Sequence, residues 1–161
     1  YGGEGKLQRK DIYYYNNDGF PVELSSYGPD GLLAWKNIFT YNEHNKITQE
    51  ASYDPDGSLD WEDKYKYDRN ENLKEWILID KNGNLVNNYE GIAKKTYQYN
   101  RKNNITGIEL KNEHGSVVKK EIFQYGKDEQ LLESVKFYVK FMFGKIHEIP
   151  IEKTTFQYER W

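Results

Sequence analysis

The sequence predicts an all-β fold, an antiparallel meander of tandem β-hairpin repeats, and three observations carry that prediction. An aromatic-x-Tyr triplet followed by a polar turn recurs along the 161 residues, a glycine-containing turn falls between the copies, and the residues between these anchors alternate with period two. The second Tyr of each triplet stands at position 15, 41, 67, 99, 125 or 158, so the steps are 26, 26, 32, 26 and 33 residues. Each unit therefore holds two strands and two turns, which makes one hairpin per repeat.

Apolar anchor positions stand at fixed distances from the turns. Each turn glycine comes 16 residues after the preceding repeat Tyr, as Gly31 does after Tyr15, and an apolar residue follows two positions later. These first anchors are Leu7, Leu33, Leu59, Leu85 and Val117, with Ile146 in the last unit. A second anchor comes six residues after the Tyr, at Ile47, Leu73, Ile105 and Leu131, while the first copy has Pro21 there.

Side chains between the anchors alternate as in half-buried strands. One face is expected to carry Leu33, Trp35, Phe39 and Tyr41, then Leu59, Trp61, Tyr65 and Tyr67, with Lys36 and Thr40 on the opposite face. The stretch from Glu129 to Lys140 also fits a short helix through Leu131, Leu132, Val135 and Tyr138, although the repeat register favours a strand.

The turns are supported by their chemistry. Pro29 and Pro55 suit positions where φ is near −65°, and the following Gly31 and Gly57 suit positions of positive φ. Asn82-Gly83 is a dipeptide that favours tight hairpins. The alternate turns are rich in Asn and Asp, which tolerate left-handed backbone and bond to local amides.

The repeats predict a single β-hairpin domain over residues 1–161. The units are approximately 5–30, 31–56, 57–82, 83–114 and 115–143, with a partial unit at 144–161. The fourth contains a six-residue insertion, Asn87 to Ile92, that we expect to lengthen one loop. Roughly ten or eleven strands should form an elongated twisted sheet or a partly wrapped one.

Composition excludes several classes of protein. Hydrophobic residues make up only 37% of the chain, yet aromatic residues make up 16%, which is atypical of a disordered chain. A net charge of −3 gives no electrostatic basis for binding nucleic acid, and no apolar run is long enough to span a membrane. The absence of Cys excludes disulfides, thiol catalysis and Cys-ligated zinc.

The repeats resemble a known family over nearly the whole chain, and two segments show the resemblance best. The segments concerned are Tyr65-Lys66-Tyr67-Asp68 and Ile79-Asp80-Lys81-Asn82-Gly83-Asn84-Leu85. They resemble the YD repeats of bacterial RHS-type cell-surface and secreted proteins, whose units read roughly Y-x-Y-D-x-x-G-x-L. The longer unit through Asn87 to Tyr99 is similar to a 32-residue variant of such repeats in bacterial extracytoplasmic proteins.

The resemblance implies a hairpin-repeat architecture and a bacterial, extracytoplasmic setting. It brings no catalytic residues, because the repeats themselves are scaffolding, and the chain is too short for the hollow shell of the large RHS proteins. The turn glycine of the pattern is kept at Gly19 but replaced by Asn45, Glu71, Asn103 and Glu129.

Candidate catalytic and metal-binding groups are sparse. His44, His114 and His147 occupy different repeat positions, with no second His or Cys at metal-ligand spacing, and no cofactor motif is present. Oxygen ligands at alternate positions make Asp54, Asp56, Asp80 and Asn82 the candidates for a calcium site. Turn chemistry alone also explains these four residues, so we expect no metal and no cofactor.

The aromatic columns have a structural interpretation and a functional one. Stacked hairpins would align the repeat tyrosines and hold together a sheet with few aliphatic residues. Alternatively, Trp35, Trp61 and Trp76 would form a stacking platform for a glycan or a partner segment. Trp35 and Trp61 stand in equivalent repeat positions, which favours the functional interpretation. Equivalent tryptophans would also result from repeated core packing, which is the structural interpretation.

We therefore expect a non-catalytic, extracytoplasmic bacterial module that presents a surface for binding a protein or a glycan. One alternative is a pure scaffold or spacer of a larger surface or toxin-associated protein. The other is a glycan-cleaving enzyme that uses paired carboxylates such as Glu62-Asp63. Open strand edges would also favour end-to-end or edge association.

Overall fold

In a computed structural model, which describes residues 8–158, the chain forms one sheet of eleven antiparallel strands that follow one another in chain order. The strands are β1 (Lys10–Tyr15), β2 (Pro21–Tyr27), β3 (Leu33–Tyr41), β4 (Ile47–Tyr53), β5 (Leu59–Tyr67), β6 (Leu73–Asp80), β7 (Lys94–Tyr99), β8 (Ile105–Lys111), β9 (Val117–Tyr125), β10 (Leu131–Met142) and β11 (Lys145–Thr155). The all-β meander predicted from the repeat is confirmed. The stretch that also fitted a helix forms β10, and among the described residues no helix could cross a membrane.

The chain divides into two compact units. The first comprises Tyr1–Tyr65 and Leu78–Asn84, and the second comprises Lys66–Ile77 and Leu85–Trp161. The first unit contains β1 to β4 and the second contains β7 to β11, while β5 and β6 contribute residues to both.

Ten turns within residues 8–158 share one hydrogen-bonded geometry. In the example between β3 and β4, the Asn42 amide donates to the Lys46 carbonyl at 2.9 Å, and the Asn45 amide donates to the Asn42 carbonyl at 3.0 Å. The fourth residue of the turn has positive φ, 59° at Asn45, and the strand register shifts between Thr40 and Tyr41. This is a type I turn followed by a bulge that requires a left-handed residue.

Asparagine or aspartate begins eight of these ten turns, and in seven of them its side chain accepts hydrogen bonds from backbone amides of the turn. Asn42 Oδ1, for example, accepts hydrogen bonds from the amides of His44 and Lys46, at 3.0 and 2.9 Å. The other six residues that act this way are Asn16, Asp68, Asp80, Asn88, Asn100 and Asn112. The Asn and Asp of the polar turns are therefore turn-forming residues.

The four non-glycine residues that replace the turn glycine keep the same backbone geometry. Their φ values are 59° at Asn45, 62° at Glu71, 65° at Asn103 and 63° at Glu129, against 81° at Gly19. The repeat register therefore fixes the turn conformation even where the side chain opposes it.

The insertion lengthens the connection between β6 and β7 to residues 81–93, as predicted, and the added residues are ordered. Residues 88–92 form an additional turn of the common type, in which the Asn88 amide donates to the Ile92 carbonyl at 2.9 Å. Ile92 and Ala93 are both 0% exposed, and Asn87 Oδ1 accepts a hydrogen bond from the Glu113 amide at 2.8 Å. Because two successive turns occupy residues 80–92, the anchor Leu85 makes only an isolated bridge and begins no strand. Leu7 lies outside the described residues.

Few side chains of residues 8–158 are fully buried. The buried hydrophobic residues are Ala51, Ile79, Ile92 and Ala93, and the buried polar ones are Ser25, Ser26, Ser52, Glu62 and Ser134. Half-buried aromatic residues therefore supply much of the packing that aliphatic residues provide in other sheets.

The repeat tyrosines connect one hairpin to the preceding one through their hydroxyl groups. Tyr41 donates to the Pro21 carbonyl at 2.7 Å and Tyr99 donates to the Leu73 carbonyl at 2.9 Å. Each acceptor is the first residue of a returning strand in the preceding repeat. Burial raises the pKa of both hydroxyls above the usual value, so both remain donors at neutral pH.

Candidate binding groove

Strand register places the two equivalent tryptophans on one face of the sheet. Ser26 lies directly opposite Trp35 across β2 and β3, and Ser52 lies opposite both Asn37 and Trp61 in the pairs made by β4. Side chains directly opposite one another, and those two residues apart on a strand, project from the same face. Trp35, Asn37, Ser52 and Trp61 therefore share that face.

These side chains line a groove with a volume of about 400 Å³ in the first unit. Its lining residues are Ala34, Trp35, Asn37, Ser52, Asp54, Asp60 and Trp61. The structure thus brings together two of the three sequence-predicted binding residues, Trp35 and Trp61, and adds carboxylates and an amide beside them. We call this surface the Trp35–Trp61 groove.

Asn37 lines the groove and is held by a hydrogen bond to Glu50. Its Nδ2 donates to Glu50 Oε1 at 2.8 Å, which fixes the orientation of the amide. Its Oδ1 is buried and has no hydrogen-bond partner within the protein. A buried acceptor without a partner costs stability, and its burial keeps it out of reach of a ligand in the groove unless the side chain moves.

A stacked cation lies over one ring of the groove. The Arg9 guanidinium lies 5.5 Å from the centroid of the Trp35 ring and forms an ion pair with Asp11 at 2.7 Å. Their side-chain hydrogen bond raises the pKa of Arg9 and lowers that of Asp11, so both groups stay charged over a wide pH range. This pair holds Trp35 in place by a cation–π contact.

Trp76, the third predicted binding residue, is not brought to the groove. It lies on β6 in the second unit, opposite Lys95 of β7, whose Nζ lies 5.1 Å from the ring centroid. The Trp76 ring therefore packs against a lysine of the neighbouring strand.

Glu75, next to Trp76, is held by two lysines. Lys66 Nζ lies 2.8 Å from one of its carboxylate oxygens and Lys94 Nζ lies 2.5 Å from the other. Hydrogen bonds from Lys66 and then Lys94 lower the pKa of Glu75 below its ordinary value of 4.5.

We expect Glu75→Gln to reduce stability at pH 7 by about 1 kcal/mol or less, and to have no effect at strongly acid pH. The folded-state pKa lies below the unfolded one, so the stabilisation is present above pH 4.5 and is lost as the pH falls through the folded-state pKa. Urea denaturation between pH 7 and pH 3 measures this. Glu90→Gln is the control, because it removes an exposed carboxylate. If the free energy of unfolding of Glu75→Gln differed from that of wild type by the same amount at every pH, the prediction would be contradicted.

The calcium candidates serve their own turns. Asp80 Oδ1 accepts hydrogen bonds from the amides of Asn82 and Asn84 at 2.8 and 2.9 Å, and these bonds, that of Asn84 first, lower its pKa. Asp56 Oδ1 accepts from the Ser58 amide at 2.8 Å, and Asp54 additionally lines the groove. Within residues 8–158, no group of three or more His, Cys, Asp or Glu side chains is placed to hold a metal ion.

The paired carboxylates of the enzyme hypothesis point away from each other. Glu62 lies opposite Ala51, whereas Asp63 lies opposite Glu50, so the two side chains project from opposite faces of β5. Glu62 is buried and forms an ion pair with Lys64 at 3.1 Å. His44 and His114 are exposed beside Glu43 and Glu113, each at 3.5 Å.

Sequence reasoning missed Asn37 as a member of the groove. The alternating pattern did contain a signal, because Asn37 is the one polar residue between Trp35 and Phe39 on the face that otherwise reads apolar. A polar residue in that position is costly to bury unless it has a specific partner.

Solved structures that are similar to this chain include two proteins from Bacteroides. A porin-like protein from Bacteroides uniformis ATCC 8492 aligns with a TM-score of 0.55 and 11% sequence identity, over 88% of this chain and 68% of that chain. A protein of unknown function from Bacteroides fragilis NCTC 9343 aligns over 96% of each chain, at 14% identity and a TM-score of 0.31. No family model and no curated protein matches the sequence. At 11% identity the first likeness concerns the fold alone.

Proposed function

We propose that this chain is a non-catalytic, extracytoplasmic bacterial module of the YD-like repeat type that binds a glycan in the Trp35–Trp61 groove. The observation that carries the proposal is the convergence of two indole rings with Asn37, Asp54 and Asp60 on one surface.

The chemistry of the groove suits a sugar. A pyranose ring presents an apolar C–H face that packs on an indole, and it carries hydroxyl groups around its edge. The carboxylates of Asp54 and Asp60 can accept hydrogen bonds from such hydroxyls. The extracytoplasmic setting rests on the resemblance of the repeats to YD repeats; the porin-like neighbour is compatible with it.

A pure scaffold is the second candidate, and the tyrosine hydroxyl bonds favour it. The hydroxyl groups of Tyr41 and Tyr99 donate hydrogen bonds to backbone carbonyls of the preceding repeat, so these aromatic residues stabilise the sheet. A scaffold requires no ligand, which makes the two candidates distinguishable by titration.

The test is a fluorescence and calorimetric titration with cellohexaose, chitohexaose, mannohexaose and laminarihexaose. We expect at least one of them to bind, and Trp61→Ala and Trp35→Ala to weaken that binding about tenfold or more. Trp76→Phe is the matched control because Trp76 lies outside the groove, and it should leave the affinity unchanged.

Absence of binding to all four sugars would favour the scaffold. Equal affinity of Trp61→Ala and wild type would show that the groove is not the binding site. Hydrolysis of the bound sugar would contradict the non-catalytic part of the proposal.

A further inference from the structure

The tip of the β10–β11 hairpin differs from the ten asparagine-rich and glycine-rich turns. Met142 pairs with Lys145, so the turn has only two residues, Phe143 and Gly144, with φ values of 52° and 74°. Positive φ at both positions is the geometry of a tight hairpin turn, in which Asn and Gly are the favoured residues. A phenylalanine there strains the backbone, and its side chain is 97% exposed.

The strained tip stands at the end of a two-stranded ribbon. The last pair between β9 and β10 joins Lys119 to Tyr138, whereas the pairs between β10 and β11 continue to Met142 and Lys145. The last four residues of β10 therefore lie beyond the end of its pairing with β9. At the usual rise of a strand they span about 13 Å.

One face of this ribbon is apolar and exposed. Phe141 lies directly opposite Ile146, and the two are 75% and 71% exposed. They continue into an apolar groove of about 430 Å³ that Val117 and Val139 also line. The apolar residues of the tip, Phe141, Phe143 and Ile146, are here called the hairpin tip.

Positive charge surrounds the hairpin tip. Lys140 and Lys145 flank it, and both lie on the ribbon face opposite Phe141 and Ile146. The other lysine between Glu133 and Glu148 is Lys136, which forms an ion pair with Glu152 at 3.0 Å, so Lys140 and Lys145 are the positive charges at the tip. Residues 140–146 are thus amphipathic and carry a charge of +2 in a chain whose net charge is −3.

We propose that the hairpin tip docks into the interface of an anionic lipid membrane. A projecting tip with two aromatic rings and one isoleucine can enter the headgroup region without a matching concave partner, and its lysines can then contact lipid phosphates. The flanking lysines carry the charge opposite to that of lipid phosphates, and docking on a second copy of the acidic chain is distinguished from membrane docking by the test below. The strain at Phe143 is explained because it presents the ring at the outermost point of the ribbon.

The test measures co-sedimentation of the whole chain with two kinds of vesicle. One contains phosphatidylcholine alone, and the other contains phosphatidylcholine with about 30% phosphatidylglycerol, which makes its surface anionic. We expect binding to the anionic vesicles, with a loss of about tenfold in Phe143→Gly and a similar loss in the double variant Lys140→Glu with Lys145→Glu. Tyr89→Ala is the matched control, because Tyr89 is 96% exposed at the tip of another turn beside Glu90.

Phe143→Gly also separates docking from folding. Glycine relieves the strain of positive φ, so the melting temperature of this variant should equal or exceed that of wild type while vesicle binding falls. Binding that is unchanged in Phe143→Gly, or that is equal on neutral and anionic vesicles, would overturn the proposal. So would concentration-dependent self-association of wild type, lost in Phe143→Gly, in the absence of vesicle binding.

Discussion

Replacing Ile92 by alanine is expected to lower the free energy of unfolding by about 3 kcal/mol, a large share of the stability of a domain of this size. Ile92 is 0% exposed and is the bulkiest of the described side chains that are fully buried. With only three other buried hydrophobic residues described, namely Ala51, Ile79 and Ala93, the cavity would remove much of the dry core. The backbone hydrogen bonds of its turn need not change, so the loss would come from packing.

Urea denaturation followed by circular dichroism measures this effect. Ile146→Ala is the control, because it removes the same atoms from a side chain that is 71% exposed, and we expect a change within about 0.5 kcal/mol. Equal costs for the two substitutions would show that residues 88–92 behave as the simple loop extension that the sequence suggested.

Gly83→Val is expected to destabilise the protein by about 2 kcal/mol through the backbone alone. Gly83 has a φ of 82° and a side-chain Cβ built there meets no atom within 4 Å, so no steric clash contributes. A β-branched residue strongly disfavours positive φ, and the turn cannot relax because its amide donates to the Asp80 carbonyl at 3.0 Å.

Thermal unfolding should show this as a decrease of about 6 °C in melting temperature. Lys81→Val places the same side chain in the same turn at a residue without positive φ, and it should shift the melting temperature little. Equal melting temperatures of Gly83→Val and Lys81→Val would contradict the prediction, because they would show that the turn accommodates valine at position 83 in a conformation other than the one described.

Much of the fold follows from local chemistry. Apolar anchors at Leu33, Ile47, Leu59 and Leu73 are the first residues of β3, β4, β5 and β6, because a five-residue turn with fixed hydrogen bonds leaves the next strand only one place to begin. The same rule carries through to Ile105, Val117 and Leu131. It fails at Leu85, where an extra turn follows at once.

The groove was only partly predictable. Trp35 and Trp61 stand out because they occupy equivalent repeat positions, but their relation to Asn37 and Ser52 depends on which residues face each other across β3, β4 and β5. Trp76 looks similar in the sequence and lies on β6 beside Lys95.

The sequence by itself determined the repeat, the strand order and the turn conformations, since each turn depends on the φ of one residue and on hydrogen bonds within five positions. Tertiary structure alone decided that Ile92 is buried, that Glu62 and Asp63 face apart, and that Asn37 joins two tryptophans. The physical reason is register: a bulge beside each turn shifts the pairing by one residue, and a shift of one residue moves a side chain to the other face of the sheet.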